Sequence, residues 1–152
     1  MDDGETEEQK FERVLMNASM LMVCVLGLVF NVMAMVTVRL NPILRSSFGI
    51  LCFSHCTANF GILFVFLFWT TPLTFTESSN NPSLQAKLCG VVLTLLWYGG
   101  VYTHLAISVN RFIAIIFAHS SASILTTKKT IFIVILVWFI GFCHTIPNFW
   151  RE

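Results

Sequence analysis

Four apolar stretches take up most of this 152-residue chain, running roughly from Val14 to Val38, Phe48 to Phe75, Leu88 to Phe117 and Thr130 to Phe149. A bilayer hydrocarbon core is about 30 Å thick and a helix rises about 1.5 Å per residue, so roughly twenty apolar residues cross it. A lone strand exposed to lipid leaves its backbone unpaired, which makes each stretch a predicted helix. The expected fold is an all-α membrane protein with four transmembrane helices. Composition agrees: 56% of residues are hydrophobic and only 11% are charged, where a soluble domain carries about 25%. A water-soluble globule of this size has too little polar surface here to cover itself.

Charge is distributed unevenly. The acidic residues are Asp2, Asp3, Glu5, Glu7, Glu8, Glu12, Glu77 and Glu152, and none lies in the connections after the first and third stretches. Those connections carry Arg39, Arg45, Arg111, Lys128 and Lys129, against Lys10, Arg13, Lys87 and Arg151 on the opposite side. Basic residues in short loops mark the cytoplasmic face. Residues 1–13 are therefore expected to be an extracellular acidic tail, and residues 14–150 one multi-pass domain of the cell membrane, with the N-terminus outside. No basic leader and short apolar run precede a cleavage site, so the first span is expected to act as an uncleaved anchor.

Local signals refine the boundaries. Ser46 and Ser47 are expected to cap the second helix, and Pro72 to kink its far end. The Ser/Asn/Pro-rich segment from Glu77 to Ala86 is a predicted loop, as is the Ser/Thr-rich stretch from Ser120 to Thr127. Pro147 falls near the far end of the fourth helix. The sequon at Asn17 lies so close to the first span that glycosylation is not expected. Of five cysteines, Cys24, Cys52, Cys56 and Cys143 lie inside apolar runs as small hydrophobes. Cys89 sits at the outer rim, where an oxidising compartment permits a disulfide.

Polar residues inside spans are costly and therefore informative. They include Asn31 in the first stretch, Ser54, His55, Thr57 and Asn59 in the second, Thr94, Tyr98, Tyr102, Thr103, His104 and Ser108 in the third, and Trp138 and His144 in the fourth. His55 and Asn59 are four apart and share one helix face, which is expected to point into the bundle for hydrogen bonding between helices or for an ion or switch site. Ser54/Ala58 and Thr57/Gly61 are small-xxx-small pairs that permit close helix approach. From Cys89 to Arg111 is twenty-two residues, about 33 Å of helix, which puts a cysteine at one membrane face and an arginine at the other.

These landmarks together resemble a rhodopsin-like G-protein-coupled receptor. Asn31 resembles the family's first-helix asparagine, Ala58-Asn59-Phe60 sits where Ala-Asp-Leu often stands, and Cys89 resembles the cysteine that starts the third helix. Asn110-Arg111-Phe112 resembles its Asp/Glu-Arg-Tyr end, and Trp138 with Pro147 resembles the fourth-helix pattern. The stretches FGILCFSHCTANFGILFVFLFWTTP, VYTHLAISVNRFIAIIF and VWFIGFCHTIPNFW look closer still to nematode serpentine chemoreceptors of the Srx type. The resemblance runs from about Gly27 to Trp150 and implies the N-terminal part, helices one to four, of a seven-helix bundle.

The resemblance implies a chemosensory receptor for a small-molecule ligand that couples to a heterotrimeric G protein. Trp69, Thr70, Thr94, Trp97, Tyr98 and Tyr102 are then the expected ligand-binding residues, and Asn110, Arg111 and Phe112 the G-protein side. Asn31, Asn59, Cys89, Trp138 and Pro147 become structural. Membrane lipid and other receptor chains are further expected partners, while nucleic acid, cofactors and metals are not expected. Asn110 and Asn59 depart from the family's acidic residues at their positions, so Arg111 lacks the adjacent carboxylate that usually restrains it and the aspartate of a sodium-type site is replaced. The family's helices five to seven, and the loop that pairs with the third-helix cysteine, have no counterpart up to Glu152, so a shortened form is expected.

Two other readings stay open. A four-span scaffold or assembly partner has the same hydropathy. His55 and His104 also lie at one depth, about 10 Å inside the same face, where two imidazoles could ligate a haem iron as in a membrane electron carrier. An enzyme is not expected, because no Walker loop, zinc signature or nucleophile elbow is present. The membrane assignment makes a direct prediction: the product sediments with membranes unless detergent is added, and an N-terminal tag is reached from outside intact cells.

Overall fold

The computed structural model describes residues 6–72 and 84–150. The predicted loop around Glu77, and the end of the second stretch up to Phe75, lie outside the described residues. Four long helices are present: α1 (Glu7–Leu40), α2 (Ser47–Val65), α3 (Leu84–Ile116) and α4 (Thr127–Trp150). A short 3-10 turn, Pro42–Leu44, joins α1 to α2, and a one-turn helix, Ser121–Ile124, lies between α3 and α4. All four long helices are long and apolar enough to cross a membrane. There are no strands among the described residues.

The helix ends follow local chemistry, with two differences from expectation. First, α1 begins well before Val14. Thr6 and Gln9 form a capping box, in which the Gln9 backbone N–H donates to Thr6 Oγ1 at 3.4 Å and the Thr6 backbone N–H donates to Gln9 Oε1 at 2.9 Å. That reciprocal pair satisfies two end donors and carries the acidic segment into the helix, where Glu7 and Glu8 also suit the positive end of the helix dipole. Second, Ser46 holds the N-cap position of α2 but makes no capping bond. Ser47 instead donates its hydroxyl to the Leu125 carbonyl at 2.6 Å, tying the start of α2 to the α3–α4 connection.

The far end of α2 is a wide turn rather than a simple kink. Phe66–Thr70 is π-helical, and the Thr71 backbone N–H donates to the Phe66 carbonyl five residues back. Pro72 follows at once. A proline ring clashes with the carbonyl four residues earlier, which is that of Phe68, and widening the preceding turn relieves that crowding.

α2 is the hub, packing against both α1 and α3 and more lightly against α4, while α3 packs against α4. The interior inverts the pattern of a soluble core. Buried positions are small or polar, among them Ser47, Ser54, Ala58, Thr103 and Thr145, with Leu51 the largest apolar side chain at their level of burial. Large side chains such as Phe30, Trp97, Ile115 and Phe132 face outward, as lipid-facing residues do. Asn17 is 5% exposed, a poor setting for a glycan.

Small residues let the backbones meet. Ala58 sits opposite Gly100, where an added Cβ would lie 3.7 Å from the Ala58 methyl. The Ser54/Ala58 pair therefore lies in the packed interface, as its spacing suggests. Thr57 turns instead toward α1, 3.9 Å from the Met35 sulfur, while Gly61 faces Leu96 of α3, so the second small pair is split between two neighbours. At the α3–α4 crossing, a Cβ on Gly99 would meet the Trp138 ring at 3.1–3.2 Å, and one on Gly141 would meet the Gly99 backbone nitrogen at 3.4 Å.

This geometry separates two glycine substitutions on the same helix. Nothing lies within 4 Å of a Cβ on Gly90, so Gly90→Ala should gain up to about 1 kcal/mol from helix propensity. Gly99→Ala presses on an indole that cannot swing away freely, and a net loss of about 1 kcal/mol is expected. Thermal unfolding of both variants in the same detergent checks the difference.

Candidate functional site: the basic end and the polar interior

The basic residues of the two connections gather at one end of the bundle. Arg39 lies over the Phe53 ring at 4.7 Å, and Arg111 over the Phe48 ring at 4.6 Å. Such cation–π contacts are worth about 0.5–1 kcal/mol when exposed. Arg111 forms no ion pair among the described residues, and a salt bridge between Lys10 and Glu7 lies at the other end of the bundle. Its neighbour Asn110 is 8% exposed and turned inward, and Phe112 is exposed. Asn110 lines a cavity of about 420 Å³ with Leu51, Leu125 and Thr130. The bond from Ser47 to Leu125 thus fastens the α3–α4 connection beside Arg111, and Lys129 adds a bond from its ammonium to the Ser123 carbonyl at 3.0 Å. The chemistry on offer is a guanidinium held by an aromatic face on a braced platform, free to meet a partner's carbonyls or carboxylates.

The polar side chains of the middle do join helices. Trp138 donates its indole N–H to Ser54 Oγ at 3.0 Å, linking α4 to α2 across the Gly99 crossing. Thr103 is 1% exposed, and its hydroxyl has no partner among the described residues. Asn31 does not reach another helix, because its amide donates to the Gly27 carbonyl of α1 at 2.7 Å. His55 and Asn59 line a cleft of about 260 Å³ between α2 and α3, together with Trp97 and His104. The expectation that His55 and Asn59 share an inward face is met.

His55 and His104 come together, with ring centroids 5.4 Å apart. The haem reading nevertheless fails on geometry. Axial ligands stand on opposite faces of a macrocycle, whereas His55 Nδ1 lies 3.2 Å from the Gly100 carbonyl of the very helix that bears His104. Helices in such direct contact leave no slot for a porphyrin plane.

The six expected ligand-binding residues do not converge on one pocket. Trp97 lines the α2–α3 cleft, whereas Tyr102 lines the cavity between α3 and α4. Tyr98 and Tyr102 stack with centroids 6.0 Å apart, and both rings meet His144 of α4 at 5.4 and 5.6 Å. The Tyr102 hydroxyl lies 3.4 Å from His144 Nδ1. Thr94 spends its hydroxyl on the Gly90 carbonyl of its own helix. Trp69 and Thr70 fall in the wide turn of α2, with Trp69 exposed. The reason is angular: Trp97 and Tyr98 are neighbours on a helix and point about 100° apart. His144, the residue missing from the expected set, is polar at a costly depth, and that was its available signal.

Cys89 sits near the start of α3 and Arg111 near its end, as their spacing requires, and Cys89 is a free thiol among the described residues. Pro147 lies inside the last turns of α4.

The Trp138–Ser54 bond predicts a measurable coupling. Trp138→Phe and Ser54→Ala each should lower stability, and a double-mutant cycle should return roughly 0.6 kcal/mol, the usual worth of a hydrogen bond between membrane helices. Equilibrium unfolding in mixed micelles provides the measurement.

Comparison with known proteins matches this arrangement. The profile of a family described as serpentine type 7TM GPCR chemoreceptor Srx matches residues 21–152. The chain is 30% identical over 118 residues to serpentine receptor class X 45 of Caenorhabditis elegans, covering 77% of this chain and 33% of that receptor. It is 25% identical over 127 residues to the allatostatin-A receptor of Bombyx mori, covering 81% of this chain and 34% of that one. The chain therefore spans about a third of the length of these curated relatives. With four membrane-length helices among the described residues and a profile match over most of its length, the chain belongs to the Srx family of serpentine, seven-transmembrane G-protein-coupled receptors.

Proposed function

We propose that this chain supplies helices one to four of a chemosensory receptor that binds a small molecule and signals through a heterotrimeric G protein. In this reading it sits in the cell membrane with its N-terminus outside, so that the basic end faces the cytoplasm. The observation that carries the reading is the state of Arg111: it has no carboxylate partner among the described residues, rests on Phe48, and stands beside a connection braced by Ser47. A guanidinium held only by an aromatic face is easily recruited by an incoming protein surface. Phe112, exposed next to it, adds an apolar contact.

For the ligand, the Tyr98–Tyr102–His144 group offers aromatic faces with a hydroxyl and an imidazole, a mix suited to small-molecule sites. Trp97 remains in the proposed set on the separate α2–α3 cleft. Trp69, Thr70 and Thr94 remain in the proposed set nearer the far end of the bundle. A ligand shifts such a receptor only through different affinities for two helix arrangements, and the family's full bundle has seven helices.

A reporter assay in cells, with a chemical library, tests this. A chain carrying three further spans after Glu152 should respond to a ligand, residues 1–152 alone should stay silent, and Arg111→Ala in the extended chain should abolish the response while surface expression persists. An unaltered response with Arg111→Ala overturns the assignment of that end.

A further inference from the structure

We propose that His55 and His104 form a binding site for a divalent transition-metal ion of the zinc class, clamping α2 to α3. His55 Nδ1 lies 3.2 Å from the Gly100 carbonyl oxygen, which can only accept, so Nδ1 carries the hydrogen. Nε2 of His55 is then left with a free lone pair. This is the arrangement found in metal-ligating histidines, in which the other ring N–H is donated to a backbone carbonyl that fixes tautomer and ring orientation. Gly100 also accepts the backbone N–H of His104 by ordinary helix geometry, so the His55 ring is held one turn from the His104 backbone.

The spacing fits as well. A tetrahedral ion held by two imidazole nitrogens at about 2.0–2.1 Å puts the ring centroids about 5 Å apart. The observed separation is 5.4 Å, with the rings tilted by 46° rather than stacked flat. The His104 ring makes no hydrogen bond among the described residues and is exposed to the cleft. Asn59 lines that cleft too, and its Oδ1 stands near Gly100. The cleft of about 260 Å³ leaves room beside the two rings for the remaining coordination positions.

No group of three or more His, Cys, Asp or Glu side chains comes together among the described residues. The site is therefore one of two imidazoles with open positions, weaker than a four-ligand structural zinc site. Imidazole selects zinc, copper or nickel over magnesium or calcium. Cys52 and Cys56 are the nearby thiols on α2 that could compete, so the test must separate nitrogen from sulfur ligation.

The experiment is calorimetric titration of the detergent-purified chain with Zn2+, paired with the visible absorption of its Co2+ adduct. One saturable Zn2+ site is expected, weakened at least about tenfold by H104Q, untouched by H119Q and H144Q, with a Co2+ spectrum free of thiolate charge transfer. H104Q removes a side chain without hydrogen bonds, so circular dichroism should remain that of the parent. The Co2+ spectrum of the parent chain is a second readout that needs no variant. Absence of a saturable site, equal affinity in H104Q, or a thiolate band each overturns the proposal.

Discussion

Lipid gives these helices no hydrophobic reason to associate, so their contact depends on backbones coming close enough for dispersion and polar bonds to act. Gly99 and Gly100 meet that requirement on two sides of α3. Gly100 admits Ala58 of α2, and Gly99 admits the Trp138 ring of α4. Substitution of either glycine by a bulky residue pushes a neighbouring helix outward. The Trp138–Ser54 bond and the contact of His55 with the Gly100 carbonyl both lie within these approaches. Remove the close crossings and the polar links across them lose their reach.

The same crossings connect the middle of the bundle to its basic end. Leu51, Asn110, Leu125 and Thr130 line one cavity near the Trp138 region, and Ser47 bonds the carbonyl of Leu125 to the start of α2. Arg111 stands at the edge of that assembly, on Phe48. A shift of α3 relative to α2 therefore carries the Arg111 guanidinium, borne on α3, across the Phe48 ring, borne on α2. That is a mechanical basis for linking helix rearrangement to a change at the basic end.

Much of the fold is legible in the amino-acid pattern because the bilayer is a severe solvent. Twenty apolar residues have few alternatives to a spanning helix, and all four spans lie close to where hydropathy puts them. The inward placement of His55, Asn59, Ser54 and Trp138 follows from the cost of polar groups in hydrocarbon. Other features were hidden because they depend on partners distant in sequence or on rotation about an axis. Ser47 reads as a cap, yet its hydroxyl finds Leu125, seventy-eight residues away. Trp97, Tyr98 and Tyr102 read as one aromatic set, but the rotation of about 100° from one residue to the next sends the first toward α2 and the others toward His144.

The π turn at Phe66–Thr70 changes how this half of α2 is to be compared with any uninterrupted helix. Each such turn contains an extra residue, so the angular phase slips beyond it. Trp69 and Thr71 consequently occupy azimuths that a straight helical wheel assigns to their neighbours. A chimera that splices an unbulged segment in at Val65 will rotate everything downstream, and restoring the orientation requires deleting or inserting one position rather than substituting any side chain.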